Sequence, residues 1–298
     1  MGYRSISQLI EKRYYADTIT SIDCGFIASL YTNDELLLER SRVYFSAFDY
    51  IFYYGFVEDP TFIRNVKDLS DSKVSFISPF PLTYSGLHTV DFILSHLQKC
   101  GIEPHHRVPT LYLKTEDFKY GNLLWENLFG KGLHKRIVFH PGSGNIKKNW
   151  PLHNYIFLAR QVLFWADDVC IVFLTGPAEE TVVDELRAQV GERIQVVSKA
   201  SLLHIASLLA TSHIYVGNDS GITHIAASLS LPTVAIFGSS DERLWSPRGE
   251  KVRVITGDTP CRPCSREIYR GCKDLACLLE IDVETIMSAM RELMTHML

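Results

Sequence analysis

From about residue 136 onward, short continuous apolar runs alternate with helical patterns, and this alternation constrains the fold more than any other feature of the chain. The runs are RIVFH (136–140), VCIVFL (169–174), IQVV (194–197), HIYV (213–216), TVAIF (233–237) and VRVI (252–255). Helical patterns cover 151–165, 179–190, 201–210 and about 222–229. Unbroken apolarity is what a strand needs when helices cover both faces of its sheet. Pro151 in a first turn, Ser201 as an N-cap and Pro232 ahead of a strand supply the punctuation. The expectation is an α/β chain with a doubly wound parallel sheet of six strands.

The first half is less regular but of the same kind. TITSID (18–23), YIFYY (50–54), VSFIS (74–78) and VPTLYL (108–113) read as strands, and 34–40, 87–100 and 117–129 as helices. A chain of 298 residues is long for one hydrophobic core and comfortable for two. Gly130-Lys131-Gly132 is the best linker, which places the domains at 1–132 and 133–298, the second ending in an amphipathic helix over 281–298. Apolar residues at 46% and charged residues at 21% exclude a disordered, collagen-like or coiled-coil chain. A net charge of −4 argues against a protein that wraps nucleic acid. The first 18 residues are amphipathic and charged, unlike a signal peptide, and no apolar run approaches the roughly 20 residues that span a bilayer. The expected compartment is the cytoplasm, with room for peripheral membrane contact.

Open α/β sheets bind ligands beyond the carboxyl ends of their strands, so the loops leaving those ends are where chemistry is sought. HPGSGNIKKNWP (140–151) carries Gly142 and Gly144, which let the backbone approach a ligand, and Lys147 and Lys148 ahead of a helix. Small residues, free N–H groups and lysines at such a place suit phosphate, although the same string also reads as an ordinary loop with two solvated lysines. It lacks the G-x-x-x-x-G-K-[ST] spacing of a P-loop. In YVGNDSGITHIAA (215–227), Asp219 or Ser220 can cap the next helix, and the N–H groups of Ser220, Gly221 and Ile222 form a second phosphate-binding end. His224 follows Ser220 by one helical turn on the same face. In FLTGPAEE (173–180), Glu179 and Glu180 fall in a first helical turn, where acids suit the dipole whatever the function.

These three loops, in this order, resemble glycosyltransferase family 9, the heptosyltransferases of lipopolysaccharide core assembly. The most specific stretch is SLLHIASLLATSHIYVGNDSGITHIAASLSLPTVAIFGSSD (201–241). The resemblance is strong from residue 136 onward and covers the first half in outline. It implies a GT-B fold, two Rossmann-like domains with parallel sheets facing across a cleft, 1–132 on the acceptor side and 133–298 holding the nucleotide sugar. It also implies transfer of heptose, or a related sugar, from ADP-heptose to a lipopolysaccharide core or other glycan hydroxyl. Inversion at the anomeric carbon is implied too, with no cofactor and no metal for the chemistry. Position by position, Lys148 pairs with the leaving diphosphate, helped by Ser143 and Gly144. Asp219, Ser220, Gly221 and Ile222 bind phosphates and donor sugar, His224 supports that turn, and Glu179 or Glu180 meets the ribose. The resemblance also implies a cytoplasmic protein that can work at the inner face of the inner membrane. The family's usual general base is an aspartate in a Gly-Asp turn after its first strand. No such pair precedes residue 17, so the first domain is expected to lack its first βα unit, and no base is assigned.

Two further readings stand beside this one: a nucleotide-sugar epimerase of the same fold, and a non-catalytic nucleotide-sugar binding protein, the latter motivated by the missing Gly-Asp pair. Of the seven cysteines, Cys24, Cys100 and Cys170 stand alone in apolar surroundings, as buried free thiols do. Cys261-x2-Cys264-x7-Cys272-x4-Cys277 has spacings that suit zinc or an iron–sulfur cluster, and equally a loop of reduced thiols or a redox-labile pair.

Overall fold

All six strands expected in the second half form one parallel sheet: β3 (Lys135–His140), β4 (Val169–Thr175), β5 (Ile194–Ser198), β6 (Ile214–Asn218), β7 (Thr233–Phe237) and β8 (Val252–Thr256). They lie in the order β5-β4-β3-β6-β7-β8, the doubly wound arrangement. The computed structural model describes residues 1–32, 35–55, 59–80, 86–132, 134–176 and 192–295. The chain divides into two units, Met1–Arg107 and Val108–Leu298.

The strands of the second unit are apolar on both faces because two cores need them. Ile137, Phe139, Ile171 and Phe173 point to one side, under helices α5 (Leu152–Trp165) and α8 (Val283–Thr295). Val138, Val172, Leu174 and Tyr215 point to the other, under α4 (Thr115–Phe129), α6 (Leu202–Ala210) and α7 (Gly221–Ser228). Period-two alternation therefore survives, with apolar residues at both phases. The Ser201 hydroxyl caps α6, accepting from the His204 N–H at 3.2 Å. The helix expected over 179–190 lies outside the described residues.

Winding first toward β5 and then toward β8 brings the ends of β3 and β6 side by side at the reversal, where Phe139 pairs with Val216 and His140 with Gly217. In sheets of this kind that reversal opens a crevice for ligands. The loops that leave β3 and β6 are the two glycine-bearing motifs.

The first unit holds a two-stranded parallel sheet, β1 (Tyr50–Tyr54) and β2 (Lys73–Ile77), with α1 (Glu35–Phe45), α2 (Pro60–Leu69) and α3 (Thr89–Lys99). Its core gathers Ile27, Leu30, Phe45, Phe62, Val66 and Leu69. Asp59 caps α2 through the Phe62 N–H at 2.9 Å, with Pro60 in the first turn.

Three expectations need correction. Residues 18–23 are not a strand; a single bridge joins Ser21 to Gly2. The segment has only two apolar residues to bury, and one of them, Ile22, is exposed. Residues 108–113 are not a strand either: Pro109 has no N–H for a ladder, and Val108 and Tyr112 are exposed. The Leu111 N–H is held instead by the Ser228 carbonyl at the end of α7.

The division of the chain also falls after Arg107 rather than at Gly130–Gly132. The cause is α4, which packs on α6 of the second unit. Gly121 permits the approach, since a Cβ there would lie 2.0 Å from the Ser207 carbonyl oxygen. The Trp125 indole N–H donates to the Leu208 carbonyl at 3.4 Å, and the Arg136 guanidinium covers the Trp125 ring. Of the lone cysteines, Cys170 is buried as expected, while Cys24 and Cys100 are half-buried.

Candidate functional site

The β3 loop begins at His140, which is buried at the strand end. Burial pushes its imidazole down to about 4, so the ring is neutral near pH 7. Beyond it the chain turns through Gly144 at φ +69°, a left-handed conformation that explains a glycine there, since a Cβ would meet nothing within 4 Å. Ser143 Oγ stays within the loop, 2.8 Å from the Asn145 carbonyl oxygen and against Asn149 Oδ1. A short 3₁₀ turn, Ile146–Lys148, follows, with Asn145 Oδ1 accepting from the Lys147 N–H at 3.0 Å.

This turn sends its two lysines in different directions. Lys147 Nζ donates to the carbonyls of Tyr269 and Arg270 at 2.8 and 3.0 Å and lies over the Tyr269 ring. Lys148 Nζ instead meets Asp219 Oδ2 at 2.7 Å, across 71 residues of sequence. Asp219 is nearly buried, and its Oδ2 also accepts from the Ser240 hydroxyl at 2.6 Å. One lysine ties down the loop, and the other stands at the β3–β6 reversal against Asp219.

The β6 turn is built to hold its place. Asn218 is fully buried: its Oδ1 accepts from the Trp150 N–H and the Tyr155 hydroxyl, each at 3.0 Å, and its Nδ2 donates to the Pro141 carbonyl at 2.7 Å. Burial holds Tyr155 well above the usual phenol range, so it remains a donor. One side chain thus clamps both ends of the β3 loop to β6. Trp150 seals the far end, its indole N–H donating to the Ile281 carbonyl at 2.9 Å.

Ser220 is the N-cap of α7; its Oγ accepts from the Thr223 N–H at 3.4 Å and lies 3.3 Å from His140 Nδ1. Thr223 is buried, with its hydroxyl 3.0 Å from the Tyr215 phenol oxygen. The N–H groups of Gly221 and Ile222 lie in the first helical turn, where the helix has no carbonyl for them. They add the positive end of the α7 dipole beside Lys148. Two buried hydroxyls at this edge of the sheet, Thr175 Oγ1 and Ser239 Oγ, make no hydrogen bond among the described residues.

The structure therefore brings Ser143, Gly144, Lys148, Asp219, Ser220, Gly221 and Ile222 to one place at the β3–β6 reversal. His224 is exposed on α7, its N–H donating to the Ser220 carbonyl at 3.4 Å. Glu179 and Glu180 lie outside the described residues. Among the described residues, no three or more of His, Cys, Asp and Glu are arranged to hold a metal ion, Cys261, Cys264, Cys272 and Cys277 included. All four are free thiols, and burial pushes Cys277 up to about 11.

The model of the family described as Glycosyltransferase family 9 (heptosyltransferase) matches residues 106–271, more than half of the chain. The chain belongs to glycosyltransferase family 9. Among curated relatives, lipopolysaccharide heptosyltransferase 2 of Escherichia coli is 32% identical over 126 residues, 40% of this chain and 35% of the relative. The chain spans about a third of the length of the first curated relatives it matches. Among solved structures, a family 9 glycosyltransferase from Veillonella parvula has a TM-score of 0.76 at 17% identity, covering 99% of this chain and 87% of that one. The ADP-heptose lipopolysaccharide heptosyltransferase II of E. coli has a TM-score of 0.73 at 16% identity, covering 99% and 88%. The fold is thus the GT-B class that the motifs imply.

Sequence reasoning about this family 9 member missed Asn218, Ser240, Tyr155 and His140. Asn218 had one visible signal, an amide ending an otherwise apolar strand, where an unpaired polar group would be costly. Ser240 and His140 had none, because their roles depend on which strands are neighbours.

Proposed function

We propose that this chain transfers a heptose, or a related sugar, from a nucleotide-sugar donor to a hydroxyl of a lipopolysaccharide core or another glycan, with inversion at the anomeric carbon. ADP-heptose is the donor favoured by the family match and by the named relatives. The observation that carries the reading is the Lys148 ammonium, held 2.7 Å from Asp219 beside the start of α7 at the sheet reversal.

In such a transfer the acceptor oxygen bonds to the anomeric carbon while the bond from that carbon to the diphosphate oxygen breaks. Positive charge grows on the sugar ring and negative charge on the departing diphosphate. Lys148 and the N–H groups of Gly221 and Ile222 meet that negative charge, and they hold it more strongly in the transition state than in the ground state. They are ordered in advance, by Asp219 for the lysine and by the Asn218 clamp for the loop. The Asp219 carboxylate, an acceptor only, suits hydroxyl groups of the donor sugar. The acceptor hydroxyl gives its proton to a general base, a carboxylate in chemistry of this kind. A lipid-linked acceptor places the reaction at the inner face of the inner membrane, with peripheral contact. Among the described residues, no helix is long and apolar enough to cross a membrane.

Calorimetric titration with ADP, followed by a transfer assay with ADP-heptose and a core acceptor, tests the reading. ADP binding with release of ADP and an inverted product supports it. Binding without transfer makes the chain a nucleotide-sugar binding protein, and no ADP binding overturns the donor assignment.

A further inference from the structure

The Ser240 hydroxyl that donates to Asp219 sits in the loop that leaves β7, between Gly238 and a short helix, Glu242–Trp245. A hydroxyl can hold a carboxylate at 2.6 Å only while the backbone that carries it keeps its place, and a loop has no strand ladder to keep it there. Arg262 does this instead. Its side chain is 9% exposed, and its guanidinium spans the loop from foot to foot. Nε donates to the Gly238 carbonyl and Nη2 to Glu242 Oε2 at 2.8 Å, so the two anchors stand on either side of Ser240. Nη2 also lies 3.5 Å from the Ser240 carbonyl oxygen, and Nη1 donates to the Gly257 carbonyl, just beyond β8, at 3.0 Å.

The neighbouring chain reinforces this staple. The Cys264 N–H donates to the Ser239 carbonyl at 3.3 Å. The short helix Ala276–Leu279 is pressed onto the same strand ends: a Cβ on Gly238 would lie 2.6 Å from Leu278 Cγ, and one on Gly257 would lie 2.2 Å from the Cys277 carbonyl oxygen. Every printed partner of the guanidinium is a backbone carbonyl or Glu242, so Arg262 acts on the site through the loop. The loop in turn reaches Asp219 Oδ2, the oxygen that also takes the Lys148 ammonium at 2.7 Å. A planar guanidinium suits this task, because a lysine amine is a point charge and cannot reproduce a fork that takes carbonyls from two loops and a carboxylate together.

We propose that Arg262 is a positioning residue of the donor site: by fixing the loop after β7 it keeps the Ser240 hydroxyl on Asp219, and thereby holds the Lys148 ammonium ready for the diphosphate. The assignment rests on the donor reading above. A double-mutant cycle on the full chain, with ADP affinity measured by calorimetry, tests it. Ser240→Ala frees the Asp219 oxygen that also takes Lys148, and should weaken ADP binding about fivefold. Arg262→Lys should cost a similar factor, and the two together no more than about fivefold, since the second change removes what the first has already lost. A general loosening of the fold would instead multiply the two losses to about 25-fold. That result overturns the proposal, as does wild-type affinity in either single variant. If Arg262→Lys does not unfold cooperatively, Glu242→Gln, which takes the charge from the partner of Nη2, replaces it in the cycle. Wild-type protein that binds no ADP removes the donor reading and leaves the positioning to a crystal structure of the unliganded Arg262→Lys chain. There Ser240 Oγ should lie beyond about 3.5 Å from Asp219 Oδ2. A separation that stays at 2.6 Å overturns the proposal.

Discussion

Replacing Lys148 and Lys147 separately by methionine is the sharpest test of the site, because the two lysines are adjacent in sequence and opposite in role. Methionine keeps most of the side-chain length and removes the charge. The Lys148 ammonium has three hydrogens, and among the described residues Asp219 takes one, at 2.7 Å. The others remain for a phosphate oxygen. Asp219 already orders the side chain, so little rotamer entropy is lost when a diphosphate arrives. A charge-assisted hydrogen bond to that diphosphate is worth about 1.5–3 kcal/mol, which is about tenfold to hundredfold in affinity.

Lys148→Met should therefore weaken ADP binding by that factor in calorimetry. Its turnover should drop further, by about 10²–10³-fold, because the charge on the leaving group grows in the transition state. Lys147 is already committed to the carbonyls of Tyr269 and Arg270. Lys147→Met should leave ADP affinity within about twofold and cost only a little stability. Equal losses in the two variants, or a larger loss at Lys147, would refute the reasoning from geometry.

Other expectations follow from buried groups. Asn218→Ala leaves the Trp150 N–H, the Tyr155 hydroxyl and the Pro141 carbonyl without their partner, and should cost about 4 kcal/mol in urea unfolding; a loss under about 1 kcal/mol would show that the clamp is not structural. For His140, the folded-state value lies near 4 against 6.5 unperturbed, so as pH falls the unfolded chain takes the proton first. Stability should then decline between about pH 6.5 and about pH 4, by about 3 kcal/mol in all, and His140→Gln should flatten that part of the profile. Identical acid profiles for the two proteins would remove the assignment. Gly121→Ala places a Cβ 2.0 Å from the Ser207 carbonyl oxygen, and should lower stability by about 1–3 kcal/mol as α4 is pushed from α6; an unchanged thermal midpoint would contradict that packing.

Strand and helix placement in the second unit was legible because burial on two faces leaves a local imprint. TVAIF at 233–237 matches β7 residue for residue, and RIVFH differs from β3 only by Lys135 at its start. In the first unit the imprint is faint. TITSID carries β-branched residues but little apolar surface, and the structure gives it no ladder. The Gly130–Gly132 break is real as a helix terminus, with Gly130 at φ +79° closing α4, but it is not where the units divide. A glycine pair reports local backbone freedom; a division depends on which helix a neighbouring helix packs against.

The amino-acid sequence by itself determined the parallel α/β architecture of residues 136–256 and the family, since both rest on short-range patterns: apolar runs, helix caps, and loops of fixed spacing. It also drew attention to the two loops that meet where β3 and β6 lie side by side. Local pattern in the loop did not separate Lys147 from Lys148, although the family resemblance points to Lys148, and nothing local foretold that Asn218, Ser240 and His140 would support the site. Those roles arise from contacts across 68, 71 and 80 residues, between Trp150 and Asn218, Lys148 and Asp219, and His140 and Ser220. Such contacts exist only because winding reverses between β3 and β6 and sets their ends side by side. That adjacency is a property of the whole sheet, so only the tertiary structure decided which lysine stands beside Asp219 and what holds it there.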